Sequence, residues 1–263
     1  MAARHGAGAG KLEATEVSAM FNRIAGVYDL MNTAMTAGLH HRWRSRAADL
    51  ACVGPGDRVL DVATGTGDLA LELARRVSPN GEVIGSDFAQ QMLERARAKS
   101  AAGALQVRPS FEWADAMELP YDDATFDAAT VGFGARNFDR LGRGLQEMVR
   151  VVRPGGRVVV LEITTPTKAP LSIFYGLWFD RLVPALGRLV ALALAGLARL
   201  RGSARKPSVA DAYTYLPSSV KRFPGPQELA EEMTRAGLTD VSFLLLAGGI
   251  VAIHAGTVGS RRA

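Results

Sequence analysis

Two hydrophobic periodicities take turns along this chain. From residue 16 to 50 apolar positions fall at helical spacing (Val17, Met20, Phe21, Ile24, then Tyr28, Met31 and Met35), which predicts a run of helices. Gly54-Pro-Gly56 interrupts that run. Beyond it, short apolar runs alternate with helical patterns. Arg58–Val62, Glu82–Asp87, Phe111–Trp113, Phe126–Phe133 and Arg157–Ile163 read as strands. Leu69–Val77, Gln90–Lys99 and Leu141–Val152 read as the helices between them, with turns at Ser78–Gly81 and Pro154–Gly156. The chain closes on a predicted helix, Gln227–Ala236, and two strands, Val241–Leu246 and Gly249–His254. Val158–Leu161 and Leu244–Leu246 are continuous apolar runs, the texture of strands covered on both faces.

Strand–helix alternation implies right-handed βαβ units and a doubly wound parallel sheet. Only Ala247-Gly248 joins the last two strands, and a link that short permits only an antiparallel pair. The expected fold is therefore an α/β, Rossmann-like, seven-stranded sheet ending in an antiparallel hairpin. Residues 16–257 read as one domain, with a helical cap over 16–50 and a lid insertion over 165–225. The Gly/Ala-rich residues 1–15 are expected to be a disordered tail, and 258–263 a second tail. Cys52 is the only cysteine, which excludes an internal disulfide and a cysteine-built zinc site; no metal is expected, and a reducing, cytoplasmic setting fits.

Charge changes this picture locally. Lys and Arg number 31 and Asp and Glu 26, a net +5. Residues 181–222 hold eight cations against one acid, Asp211, so this segment carries +7 and the remainder −2. Such a distribution excludes a uniformly basic packager. Within the segment, 182–200 is almost wholly apolar, and Arg188 and Arg199 fall about 20° apart on a helical projection. A helix resting in an anionic membrane interface through 181–206 is expected, which would make the protein peripheral on the membrane's inner face. The rival is an ordinary core helix or the contact of a homodimer.

The candidate chemistry sits at strand ends. Asp61-Val-Ala-Thr-Gly-Thr-Gly67 follows the first strand and opens a helix, so its backbone can approach a ligand closely. A dinucleotide fingerprint would need a third glycine at position 70, which is alanine. Asp87, at the end of the second strand, can accept hydrogen bonds from both ribose hydroxyls of a nucleoside. Asp115-Ala116, after the third, can meet an adenine amino group. Three acids in register suit S-adenosylmethionine (SAM), which carries a sulfonium and an ammonium but no phosphate. The plainer alternative makes Asp87 and Asp115 caps of the helices after them.

Together these residues resemble the ubiquinone/menaquinone biosynthesis C-methyltransferases, a family with the class I SAM-dependent methyltransferase fold. The matching pieces are Met20–Asn32, Gly38–Trp43, Asp61–Asp68, Ala116–Tyr121, Phe133-Gly-Ala-Arg-Asn137, Pro154–Arg157, Tyr213–Ser218 with Phe223-Pro224, and Gly249–Gly256. The resemblance implies methylation of a polyprenylated quinol carbon, at demethylmenaquinol or the corresponding benzoquinol. It implies cofactor contacts at Thr66, Asp87, Asp115 and Ala116; the loop reading adds Asp61, Gly65 and Gly67, Tyr28 of the helical cap is expected to close over the cofactor, and Gly132 to touch it. A family serine aligns with Gly132, so only a backbone contact is left there.

For that chemistry Arg136 is the expected partner of a phenolate, or the group that orients a proton-accepting water, since a guanidinium cannot itself serve as base. Asn137 would anchor the ring oxygen or that water. Tyr213 and Tyr215 are expected to line the quinol pocket. His254 reads as structural, and His40 and His41 as a solvated helix face. A nucleic-acid methyltransferase fits poorly: no Asn/Asp-Pro-Pro-Tyr motif is present and no aromatics interleave the cations, so no nucleic-acid partner is expected. A soluble phenol as substrate, or a non-catalytic SAM-binding subunit, are the other readings.

Overall fold

The computed structural model describes residues 14–26, 28–166, 169, 175–176, 185 and 209–260, with side chains omitted at 14 and 209–214. Apart from Ala185, the basic stretch 181–206 expected to meet a membrane lies outside the described residues, as do residues 1–13 and the side chain of Tyr213; Ala14 and Thr15, expected in the tail, begin the first helix.

Three helices come first: α1 (Ala14–Ile24), α2 (Tyr28–Thr36) and α3 (Leu39–Leu50). Then β1 (Arg58–Val62), α4 (Asp68–Val77), β2 (Glu82–Asp87), α5 (Gln90–Ala102) and β3 (Ser110–Trp113) alternate. They are followed by β4 (Phe126–Gly132), a single 3-10 turn at Ala135–Asn137, α6 (Leu141–Val151) and β5 (Val152–Ile163). After the insertion come α7 (Val209–Arg222), α8 (Pro226–Arg235), β6 (Leu238–Leu246) and β7 (Val251–Val258). Val258, expected in the tail, is the last residue of β7.

The seven strands form one sheet in the order β3-β2-β1-β4-β5-β7-β6. β1 to β5 pair in parallel, and β7 is antiparallel to both of its neighbours, β5 and β6. The order reverses at β1/β4, where a crevice opens beyond the strands' carboxyl ends. The predicted turn at Pro154–Gly156 is an excursion inside β5: Phe126 pairs with Val152, and Ala128 already with Arg157.

Burial explains the sheet's centre. Val158, Val159, Val160 and Leu161 of β5 are fully buried, with α3 on one face and α6 on the other. Leu145 and Met148 of α6 are fully buried as well, each worth about 1.5–3 kcal/mol of transfer free energy. The reading of Leu244–Leu246 as covered on both faces is corrected. β6 is the sheet's edge and pairs only with β7, and Leu244 and Leu245 are 39% and 49% exposed. An unbroken apolar run marks a strand but does not say which position in the sheet it takes.

The N-terminal helices roof the carboxyl end of the sheet. Met20, Ile24, Ala25 and Met31 pack on Ala89, Met92, Leu216 and Val220, joining the cap to α5 and α7. No helix among the described residues is long and apolar enough to cross a membrane.

Candidate active site

Two adjoining cavities occupy the crevice. The first, about 940 Å³, is lined by the β1–α4 loop, Asp87, Asp115, Ala116, Gly132, Tyr28 and Asn137. The second, about 310 Å³, is mostly apolar, with Met20, Ile24, Trp43, Ile163, Leu216 and Ile250 in its wall beside Arg136 and Tyr215. Phe21, Tyr28, Arg44 and Phe133 line both. The structure thus brings the predicted cofactor residues, Gly67 excepted, together around one space with Asn137, and places Arg136 and Tyr215 around the next.

The loop is held from below. Asp61, fully buried, accepts hydrogen bonds from Thr64 Oγ1 at 2.6 Å and Thr130 Oγ1 at 2.7 Å. Burial pushes its carboxyl up to about 6 against those two hydroxyls. Thr64 is tolerated because the positive φ angles fall on its neighbours Ala63 and Gly65. Gly67, with φ of 83° at the start of α4, is required twice over: a Cβ there would sit 2.9 Å from the Phe111 ring.

Asp87 caps α5 and also lines the first cavity. Its Oδ1 accepts from Ala89 N, the cap of α5, and its Oδ2 from Gly65 N, each at 2.8 Å. Burial raises its carboxyl to about 6, opposed by those amides. Asp115 is exposed and caps its own turn, accepting from Met117 N at 2.8 Å. Gly132 ends β4, where a Cβ would lie 3.1 Å from Leu69 Cδ2, so leucine fills the space a larger residue would need.

Thr66 lines the first cavity, and its hydroxyl is engaged at the seam with α2. Its hydroxyl donates to Asp29 Oδ1 at 2.6 Å and accepts from Lys99 Nζ at 3.0 Å. Lys99 also meets Asp29 at 2.8 Å and Asp68 at 2.6 Å, so α2 is tied to the cofactor loop.

Arg136 sits in the turn after β4, its side chain 6% exposed, with Nη1 2.7 Å from Glu162 Oε1 and in contact with the Phe133 carbonyl. Burial works against its charge, but Glu162 holds the guanidinium above its ordinary range. Its Nε is buried without a hydrogen-bond partner among the described residues. Beside it, Asn137 Oδ1 accepts from Tyr215 Oη at 3.2 Å. Phe133, between the cavities, has φ of 60°, a strained value for a large residue.

His40 is not on a solvated face. It is 2% exposed, with Nε2 3.2 Å from Thr33 Oγ1 and Nδ1 against Arg44 Nη1. Burial, then the Arg44 charge, lowers its pKa to about 4, which keeps it neutral. His41 is exposed. His254 is buried, its Nε2 2.8 Å from the Pro226 carbonyl and its ring beside Phe243, a packing role.

Sequence reasoning missed Asp29, Arg44, Lys99, Phe133 and Glu162. Asp29 and Phe133 fall within the matching pieces without having been singled out, Glu162 is a lone acid inside the apolar run of β5, and Arg44 and Lys99 carried no signal.

The family model described as "ubiE/COQ5 methyltransferase family" matches residues 9–258. This chain belongs to that family. A curated relative, the "Demethylmenaquinone methyltransferase" of Thermus thermophilus, is 45% identical over 237 residues, covering 90% of this chain and 99% of the relative. The "Ubiquinone/menaquinone biosynthesis C-methyltransferase UbiE" of Pseudomonas paraeruginosa is 36% identical, covering 93% and 89%. Among solved structures, a SAM-dependent methyltransferase from Aquifex aeolicus has a TM-score of 0.53 at 15% identity, covering 94% of this chain and all of that one; it shares the fold. Family membership makes this chain a SAM-dependent methyltransferase. The residues present fit that cofactor: acids flank the cleft at Asp61, Asp87 and Asp115, and the glycine turn leaves it open.

Proposed function

We propose that the chain methylates a ring carbon of a polyprenylated quinol, demethylmenaquinol. The observation that carries this reading is the shared wall of the two cavities, one acidic and one apolar, meeting at Tyr28, Arg44 and Phe133. The 45% identical relative bears the name of that substrate's enzyme, and the benzoquinol is favoured less by the relative at 36%.

SAM supplies an electrophilic methyl group on a cationic sulfur. The chain's part is to hold the cofactor through the β1–α4 loop, Asp87 and the Asp115–Ala116 turn. A quinol carbon becomes nucleophilic when a ring hydroxyl loses its proton. Arg136, kept charged and with no partner for Nε among the described residues, offers that oxygen a cationic donor in a dry site. The methylated ring carbon must lose its own proton to regain aromaticity; Asn137, oriented by Tyr215, holds the ring oxygen or a water that takes that proton. Apolar walls from α1 and α7 seat the ring and exclude bulk water.

The test is incubation of the protein with labelled SAM and each reduced quinone, with the methyl located by mass spectrometry. Transfer to demethylmenaquinol is expected; transfer to neither ring overturns the proposal. A prenyl tail keeps the substrate in a bilayer, so we also propose that the basic 181–206 stretch rests on anionic lipid. Sedimentation with anionic vesicles should fall when Arg188, Arg199, Arg201 and Arg205 are changed to Glu, and unchanged sedimentation would reject docking.

A further inference from the structure

We infer that Arg44 binds the α-carboxylate of the methionine half of SAM, and so sets where the donor methyl lies against the second cavity. This inference rests on SAM being the cofactor. The ends of the cleft are chemically distinct. Asp115 follows β3 and Asp87 ends β2, so a nucleoside held there runs along the sheet towards β1 and β4. The amino-acid half then falls over the β1–α4 loop and Gly132, at the end of the cleft where the cavities meet. It brings one ammonium, which the acids around that loop suit, and one carboxylate, which needs a cation.

Arg44 is the cation placed for it. The residue is 7% exposed, belongs to α3, whose Ala47 and Ala48 are buried in the core, and lines both cavities. Its guanidinium lies 5.5 Å from the centre of the Phe133 ring. Its recorded polar contacts fall on one nitrogen: Nη1 meets His40 Nδ1 and lies 3.5 Å from Asp68 Oδ2. Nε and Nη2 make no hydrogen bond among the described residues, leaving a pair of donors for a bidentate carboxylate. Lys99, by contrast, is consumed by Asp29, Asp68 and Thr66. Arg140 and Arg143 also line the first cavity, but Arg143 Nε donates to Met117 O at 3.1 Å, beside the Asp115 turn at the other end.

His40 becomes intelligible on this view. As a neutral imidazole, it presents Nδ1 as an acceptor to Arg44 and its Nε2–H to Thr33, fixing the guanidinium without cancelling its charge.

The test compares two probes by calorimetry: S-adenosylhomocysteine, which has the amino-acid half, and 5′-methylthioadenosine, which lacks it. Arg44→Met should weaken S-adenosylhomocysteine about ten- to a hundredfold while leaving 5′-methylthioadenosine unchanged. Arg44→Lys should recover part of the loss. Equal weakening of both probes, or of neither, overturns the inference; the second outcome, with a raised KM for the quinol, would assign Arg44 to the ring oxygen instead. Should Arg44→Met fail to fold, the ratio of the two affinities is read on Arg44→Lys, where an unchanged ratio rejects the inference. Failure of the unaltered protein to bind S-adenosylhomocysteine would reject SAM as cofactor, a separate result.

Discussion

Arg136 and Glu162 form a buried ion pair across the ends of two neighbouring strands, Nη1 to Oε1 at 2.7 Å, both side chains nearly inaccessible. Glu162 also accepts from the Arg136 and Ile163 amides, so its carboxylate is met by one guanidinium and two amide donors. Removing one partner of such a pair strands the other's charge. Glu162→Ala should therefore destabilise the fold by about 3–5 kcal/mol. The double variant Arg136→Met/Glu162→Met should recover most of that loss, as read by chemical denaturation. Equal destabilisation in both would mean the pair is not what couples these strands.

Arg136 has a second expected effect, on turnover. Its Nε is the buried donor left over after the ion pair is made. Arg136→Ala should lower kcat about a hundred- to a thousandfold with little change in S-adenosylhomocysteine affinity. Steady-state kinetics beside calorimetry checks this. Unchanged kcat would remove Arg136 from the chemistry.

Two buried groups should act oppositely on stability in one pH window. The Asp61 carboxyl, raised to about 6 by burial, keeps in the fold a proton that the unfolded chain releases near its ordinary 3.8. Its contribution is full below that value and is lost as pH rises through 6. His40, lowered to about 4 from 6.5, contributes above 6.5 and loses that contribution as pH falls through 4. Relative to the unaltered protein, Asp61→Asn should gain stability from pH 4 to 6.5. His40→Gln should gain it in the reverse direction. Denaturation at both ends of the window reads the two signs.

The sheet was largely legible because strand length, helix spacing and glycine punctuation are local properties. The bounds read for β1 and β2 match the structure residue for residue. The edge position of β6 was not legible, since pairing partners are set by the whole topology. The cofactor loop announced itself through its glycines and the acids in register with it. His40 and Arg44 did not, because a polar helix turn looks the same whether it meets water or a buried network. Thr66 shows a related limit: the glycine motif placed it on the cavity wall, but its hydroxyl bond to Asp29 of α2 is a tertiary contact no local pattern reports.

That Asp29–Thr66 contact supplies the last prediction. Asp29 is the second residue of α2, next to Tyr28, which lines both cavities, so the 2.6 Å bond and the Lys99 bridge fasten the cap at the seam. Asp29 is 41% and Lys99 31% exposed, so solvent screens the bridge and each link is worth about 1 kcal/mol or less. Asp29→Asn should therefore leave the global unfolding midpoint almost unchanged. It should nonetheless speed amide hydrogen exchange across 14–36, because the cap's opening needs only these local contacts to break. The KM for the quinol should rise several-fold, since the second cavity takes one wall from α1 and α2. Exchange and KM both unaltered would show that α1 and α2 are held by the packing of Met20, Ile24 and Met31 alone.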